Sequence, residues 1–446
     1  MNVLGASILI ILIFVVLKAS PRMAILGMMG GVLFLTQAQQ VDLFGVNFYA
    51  IRFLEVAGFL RVAIDKKLPF CQLNGIDHAF LWLYGFTILV FLIRSTESIA
   101  TQIGITLDAF FCYFIFRKLI IGMDDLRWFL RSFVILLAPY TVLVLIEITT
   151  AHNPFALLGG IEGGSDWMRH GIPRCFGSFR QPDTLGMFGA SFLPLYISSV
   201  FDEKERKNAL LGISLCLTLI ACANSGGPIL GGLTGLLAWG LWRIKKRMRM
   251  VRWGIVASII LLALVMKDPV WYIFAHASGL TGGSGWHRSK LIDVVYRNID
   301  QWWLAGMPLG DTIDWFPYVL PQVGTADITN AFIAFGLTSG ICSVFLFIRL
   351  LSKTYNRLGL ALENVRSFHS ATRETELMFW GLGVMLTVHI INWFGCTYFD
   401  QMYVIWFMHL AVIATLTEVY AGQPATDPDS QSQNAPEIHS SWRAMT

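Results

Sequence analysis

Two stretches of this 446-residue chain, at about 150–184 and 267–326, hold most of the side chains that could do chemistry in water. The first contains His152, Glu162, Asp166, Arg169, His170, Arg174, Arg180 and Asp183. The second contains His276, His287, Arg288, Asp311 and Asp314, with Asp327 at its end. Arginine is the natural binder of a phosphate or pyrophosphate, because its planar fork donates two parallel charge-assisted hydrogen bonds. A histidine or carboxylate beside such a fork is equipped to take a proton from a hydroxyl.

Other chemistries lack their motifs. No G-x-x-x-x-G-K-[ST] is present, so ATP is not handled through a P-loop. H-E-x-x-H and G-x-S-x-G are missing too, which leaves zinc proteolysis and the serine elbow without support. The seven cysteines show no C-x-x-C metal spacing, and neither a metal nor a cofactor is expected. Of the seven, only Cys175 and Cys396 fall on the outer side of the expected topology, and they form the one pair the sequence offers for a disulfide. Gly159-Gly160, Gly163-Gly164 and Gly282-Gly283 with Gly285 read as loop flexibility.

The elements that must position these groups are membrane spans. The chain is 55% hydrophobic and only 14% charged, against about 25% charged in soluble domains. Apolar runs long enough to cross roughly 30 Å of hydrocarbon recur from end to end and leave no room for a large soluble domain. The first run, Val3 to Leu17, has no basic residue before it and no A-x-A site after it, and reads as a retained span. About thirteen transmembrane helices are expected, at approximately 3–18, 23–40, 43–64, 76–93, 99–116, 132–149, 185–201, 209–223, 227–242, 253–266, 327–349, 376–395 and 402–420. The fold class is thus an all-α polytopic membrane protein with two long outer loops. It divides into N-terminal spans (1–149), a first loop (150–184), central spans (185–266), a large loop with an amphipathic helix (267–326), C-terminal spans (327–420) and a disordered tail (421–446).

Charge orients the bundle. Twenty-four of the 33 Lys and Arg fall in alternate short joints and, for Arg443, in the tail, which places that side in the cytoplasm and the N-terminus outside. The net charge of +4 then reflects anchoring to an anionic leaflet and needs no nucleic acid partner. The outer loops are far longer than neighbouring helices need, and such loops tend to be functional. Within the second, Leu291, Val294, Val295, Ile299 and Trp302 recur at helical spacing and predict an amphipathic surface helix over Ser289 to Leu304. Trp302, Trp303, Trp315 and Tyr318 read either as an interfacial belt or as a platform for a sugar. Arg52 and Glu55, three apart within a span, read as a satisfied structural pair in preference to a site.

Four stretches carry a family resemblance. They are Arg174-Cys-Phe-Gly177-Ser-Phe-Arg180-Gln-Pro-Asp183; Asn224-Ser225-Gly-Gly; His287-Arg288 followed by Leu304-Ala-Gly306-Met-Pro308-Leu-Gly310; and Ile328-Thr-Asn330-Ala-Phe-Ile-Ala-Phe-Gly336. In order and side of the membrane they resemble the O-antigen ligase and Wzy-type polysaccharide polymerase superfamily over about residues 125–350. Two departures stand out. Thr329 occupies the place of the ligases' histidine, and Gly226 that of the arginine in the Ser-Arg turn.

The resemblance implies a metal-independent membrane glycosyltransferase at the outer face of a bacterial cytoplasmic membrane. It would polymerise oligosaccharide repeat units carried on polyprenyl diphosphate, with an acceptor glycan and the lipid bilayer as partners and a chain-length regulator or export complex alongside. Arg174, Arg180 and Arg288 would hold the diphosphate, and His287 or Asp327 would take the acceptor's proton. Asp183, Gly177, Gly310, Asn330 and Trp302 would line the substrate. A ligase is the alternative within the superfamily; a lipid-linked oligosaccharide flippase or a membrane scaffold are the alternatives outside it.

Overall fold

A computed structural model describes residues 1–43, 46–65, 68, 72–94, 99–164, 167–276, 285–315, 319–320, 324–367 and 372–421. Asp166, Tyr318, the glycines 282–283, Lys66, Lys67, Cys71 and the tail from 422 lie outside the described residues. The architecture is all-α, of the helical membrane type. In chain order the helices are α1 (Val3–Lys18), α2 (Pro21–Phe34), α3 (Ala50–Ile64), α4 (Gly75–Arg94), α5 (Ile99–Leu119), α6 (Met123–Thr150), α7 (Pro182–Ser199), α8 (Arg206–Ala223), α9 (Gly226–Gly240) and α10 (Met248–Val265). They continue with α11 (Gly285–Arg297), α12 (Ile299–Trp302), α13 (Ala331–Ser339), α14 (Ile341–Ser367), α15 (Arg373–Trp393) and α16 (Met402–Ala421). Among the described residues, six helices are long and apolar enough to cross a membrane: α4, α6, α8, the run Gly226–Val265, α15 and α16. The first two helices are apolar but shorter.

Start signals sit where the sequence puts them. Asn2 caps α1 by accepting from Gly5 N at 2.8 Å, and Ser20 caps α2 with Pro21 in its first turn. Helix α7 is the hub: all but two of its residues are buried, and α8, α9 and α15 pack around it. Small residues permit that closeness, as they do between membrane helices generally. A Cβ on Gly186 would lie 2.5 Å from the Pro228 side chain, and one on Gly189 2.8 Å from the Cys216 carbonyl.

Two expected spans are not single helices. Residues 43–64 divide into a hairpin, in which Gln40–Leu43 (β1) pairs antiparallel with Val46–Tyr49 (β2), and the 15-residue α3. The alternation of apolar and polar residues in Val41-Asp42 and Asn47-Phe48 suits strand better than helix. Arg52 and Glu55 each have a partner, but not each other, and Glu55 Oε2 is buried without one among the described residues. Arg52 grips Asp108 of α5, with Nε 3.0 Å and a terminal nitrogen 2.7 Å from the carboxylate, while Glu55 accepts from the Tyr403 hydroxyl at 2.6 Å.

The span expected at 327–349 breaks at Gly340, whose φ of +81° ends α13 before α14 begins. Chain from the large loop wedges into the break: Ile341 N donates to Trp303 O and Met307 N to Leu337 O, each at 2.8 Å. Arg94 caps the exposed carbonyls, donating to Thr338 O at 2.8 Å and Ala305 O at 3.1 Å. The expected amphipathic helix is present as α11 and α12, starting earlier than the periodicity indicated and therefore carrying His287 and Arg288. Its apolar face, Leu291, Val295 and Trp302, forms a small core with Met307 and Leu337.

The joints grouped by their basic charge meet one another at the opposite end of the bundle. Arg22 pairs with Asp125 at 2.8 Å, Arg131 with Glu205, and Lys245 and Arg366 share Glu376. Between them Arg117, almost wholly buried, bonds Asp77, Thr415 and Glu418.

Candidate functional site

The first long loop is built to present Arg174. Met168–Arg169 (β3) and Ile172–Pro173 (β4) form a two-residue hairpin, with His170 (φ +51°) and Gly171 (φ +74°) at its tip. Two positive φ angles in a row are the signature of a type I′ turn, which matches the twist of the strands. Asn224, itself left-handed at the end of α8, clamps the hairpin: its amide donates to Arg169 O at 3.2 Å and Ile172 O at 3.3 Å. Arg174 follows directly. Beyond it, the Phe176 and Gly177 N–H groups donate to the Glu147 carboxylate of α6 at 2.8 and 2.9 Å, which pins the loop to the bundle.

Asp183, in the first turn of α7, is the point of convergence. One carboxylate oxygen accepts from Arg174 and from the Ser225 hydroxyl, both at 2.7 Å. The other stands 3.6 Å from a terminal nitrogen of Arg288, whose Nε donates to Gly395 O at 3.1 Å. Three of the four stretches singled out in the sequence thus meet at one carboxylate, and the end of α15 holds Arg288 in place beside it. Neighbouring His287 sets its Nε2 3.7 Å from an Asp327 carboxylate oxygen and 3.3 Å from the Asp327 carbonyl. Arg180 stands slightly apart: it bonds Asp400 at 2.7 Å and lies over the Phe399 ring.

Donors remain open in this cluster. Among the described residues, Arg174 Nε is buried with no partner, and the terminal nitrogens of Arg288 have only the long ion pair to Asp183. Arg169 adds further positive charge close enough to act on Arg174. Two guanidinium groups held around a single carboxylate, with unused N–H groups, form a site that can accept an anion.

The electrostatics follow from burial. Desolvation pulls Arg174 below its ordinary range, with Asp183 opposing and Arg169 reinforcing. Burial also lowers His287, with Asp327 opposing, so the imidazole stays neutral to lower pH than a free histidine. Asp327, in the extended segment before α13, is raised by burial while His287 and Arg288 pull it back. A neutral imidazole beside a carboxylate of raised pKa is a competent proton acceptor near neutrality.

The remaining expected site residues have structural places. Gly177 sits at φ +57° with its α-carbon against Tyr140, so it shapes the loop. Asn330 caps α13, accepting from Phe332 N at 2.9 Å and Ile333 N at 3.2 Å. Trp302 is buried in the small core and its indole donates to Val295 O at 2.9 Å, so it presents no face to a sugar. Gly310 lies in the exposed turn Leu309–Trp315, away from Asp183's partners. Thr329 Oγ1 is buried without a partner among the described residues.

Sequence reasoning missed Ser225 as a ligand of Asp183, and it missed Asp400 and Gln401. The last donates to Leu35 O at 2.6 Å and Ser178 O at 3.2 Å and ties the α15–α16 joint to the first loop. Also unforeseen is a cavity of about 480 Å³ that Arg180 and Asp400 share with Tyr398, Trp406, Phe335 and the Arg52–Asp108 pair. Polar side chains in a short joint between two apolar spans were the only available signal.

No family model matches the chain, and no curated protein matches it closely enough to lend it a family.

Proposed function

We propose that the chain is a membrane glycosyltransferase that polymerises polyprenyl-diphosphate-linked oligosaccharide repeat units at the outer face of a bacterial cytoplasmic membrane. The observation that carries this reading is the meeting of Arg174 and Arg288, with unused donors, around Asp183. In the reaction an acceptor hydroxyl attacks the anomeric carbon of the donor sugar while polyprenyl diphosphate leaves. Charge grows on the departing diphosphate, and fixed guanidinium groups in a partly desolvated site stabilise it without reorganising. His287, oriented by Asp327, takes the proton that the acceptor hydroxyl loses. Arg180 and the aromatic cavity beside it suit the saccharide, since ring faces stack on sugars and the Asp400 carboxylate accepts from hydroxyls.

The polymerase reading is preferred to the ligase because Thr329 holds the position where the ligases of the resembled superfamily carry histidine. A transporter would concentrate polar groups near the midplane of pseudo-symmetric halves; here they gather at Asp183, reached from two asymmetric loops.

The test is mass spectrometry of polyprenyl-linked sugars in the host lacking this gene. Single repeat units accumulating outside the membrane, with no polymer, is the expected result. Complete chains left on the lipid would instead indicate a ligase, and repeat units trapped in the cytoplasm a flippase. A lipid pool identical to wild type would leave only the scaffold.

A further inference from the structure

The cysteine pair offered by the sequence, Cys175 with Cys396, is not the pair that meets. Cys175 lies against Cys222, the penultimate residue of α8. Cys175 N donates to Cys222 O at 3.0 Å, and both are buried free cysteines whose thiols are close enough to act on one another. That bond sets the two backbones side by side, the proximity a disulfide needs, since it bridges Cα atoms about 4.4–6.8 Å apart. The other described cysteines offer no such neighbour: Cys112 and Cys216 face the bundle core, Cys342 is exposed at the start of α14, and the Cys396 thiol donates to the adjacent Thr397 O.

We propose that Cys175 and Cys222 are joined by a disulfide in the mature protein, which staples the first outer loop to the end of α8. The inference rests on the orientation read from charge, which puts Cys175 in the first outer loop and Cys222 at the outer end of the span 209–223, the side where disulfides form and persist. Two thiols lose two protons and two electrons as the S–S bond forms, and a disulfide-bearing oxidant accepts them and leaves as two thiols. Exchange takes place while the loop folds, before the two thiols are buried.

The location gives the bond a purpose. Cys175 directly follows Arg174, and Cys222 lies three residues before Ser225; Arg174 and Ser225 are the two groups that share one oxygen of Asp183. Between them, Asn224 already clamps the hairpin through its amide. A covalent tie at this point holds the anion-binding donors in register while a large substrate enters and leaves.

The experiment uses the full chain in host membranes prepared without reductant. Free thiols are blocked with one maleimide in denaturant, the sample is reduced, and newly freed thiols are tagged with a second maleimide before peptide mass spectrometry. Cys175 and Cys222 are expected to carry the second tag and Cys112, Cys216, Cys342 and Cys396 the first. In Cys222→Ala, Cys175 should switch to the first tag. First tags on both cysteines in the wild-type protein would overturn the proposal, as would a peptide joining Cys175 to Cys396. This readout does not depend on polymer synthesis, so it stands apart from the proposed activity. A topology reporter fused to the C-terminus reads the orientation independently.

Discussion

Arg288 brings a terminal nitrogen to within 3.6 Å of the Asp183 carboxylate while its Nε is fixed by the Gly395 carbonyl at 3.1 Å. The guanidinium is therefore aimed by backbone and only loosely held by charge. Arg174 is the converse: its terminal nitrogen is tightly bonded to Asp183, and its Nε is left open. On the proposed reading, a diphosphate would take the unused donors of both, reaching the buried Arg174 Nε only as the loop gives way, without breaking the bond that aims either guanidinium.

Replacing Arg288 or Arg174 by Lys should therefore fail to preserve activity, although the charge is kept. A lysine offers a point charge without the planar fork. Losing one charge-assisted hydrogen bond costs about 1.5–3 kcal/mol, or roughly 10–100-fold in rate. The measurement is polymer formed per unit of membrane-inserted protein. Arg288→Lys retaining more than half of wild-type polymer would remove the diphosphate role from that residue.

The proton acceptor predicts a pH profile. Burial lowers His287, so its neutral, accepting form persists below the ordinary value of 6.5, and the acid limb of activity should fall below that pH. Asp327 opposes this shift, so Asp327→Asn should move the limb further toward acid and leave activity at neutral pH in place. His287→Gln should lower activity across the whole range and abolish the limb. If Asp327→Asn is inactive at every pH while His287→Gln retains the wild-type profile, the base is the carboxylate.

What the sequence revealed and what it hid have separate physical causes. Arg174, Asp183, His287, Arg288 and Asp327 were legible because charge in an apolar chain has little reason to be there except pairing or chemistry. The partners were harder. Ser225 looks like any turn residue until the end of α8 is placed beside the start of α7, and Trp302 looks like a sugar platform until Met307 and Leu337 close over it. The break at Gly340 was hidden because the short Thr338-Ser339-Gly340 run, flanked by Phe335-Gly336-Leu337 and Ile341, is too brief to end an apolar span by hydropathy. What interrupts the helix is long-range: the Trp303 and Leu304 carbonyls occupy the space a Cβ would need.

Gly177 gives a prediction that separates loop shape from substrate contact. Its φ is +57°, and a Cβ there would lie 2.3 Å from the Tyr140 hydroxyl and 3.1 Å from the ring carbon that bears it. Gly177→Ala should thus be destabilising by about 1–2 kcal/mol from strain alone, with the clash in addition. Adding Tyr140→Phe removes the nearer obstacle, and detergent thermal-shift measurements should show partial recovery. If the double variant is no more stable than Gly177→Ala, the clash is not what limits the site.

The buried pair far from the site tests the packing. Arg117 and Asp77 have side chains 3% and 0% exposed, and their nitrogen–oxygen contact is 3.2 Å. Removing one partner strands the other's charge, which typically costs about 3–5 kcal/mol. Asp77→Ala should therefore lower the thermal midpoint sharply, even though Glu418 still reaches Arg117. Arg117→Met together with Asp77→Leu removes both charges while keeping volume, and buried pairs so replaced are often neutral or better. The double variant should be more stable than Asp77→Ala and should leave polymer formation intact, because neither residue approaches Asp183. A double variant less stable than the single one would mean that Tyr113, Thr415 and Glu418 depend on the pair for their own hydrogen bonds. The network would then have to be treated as one unit.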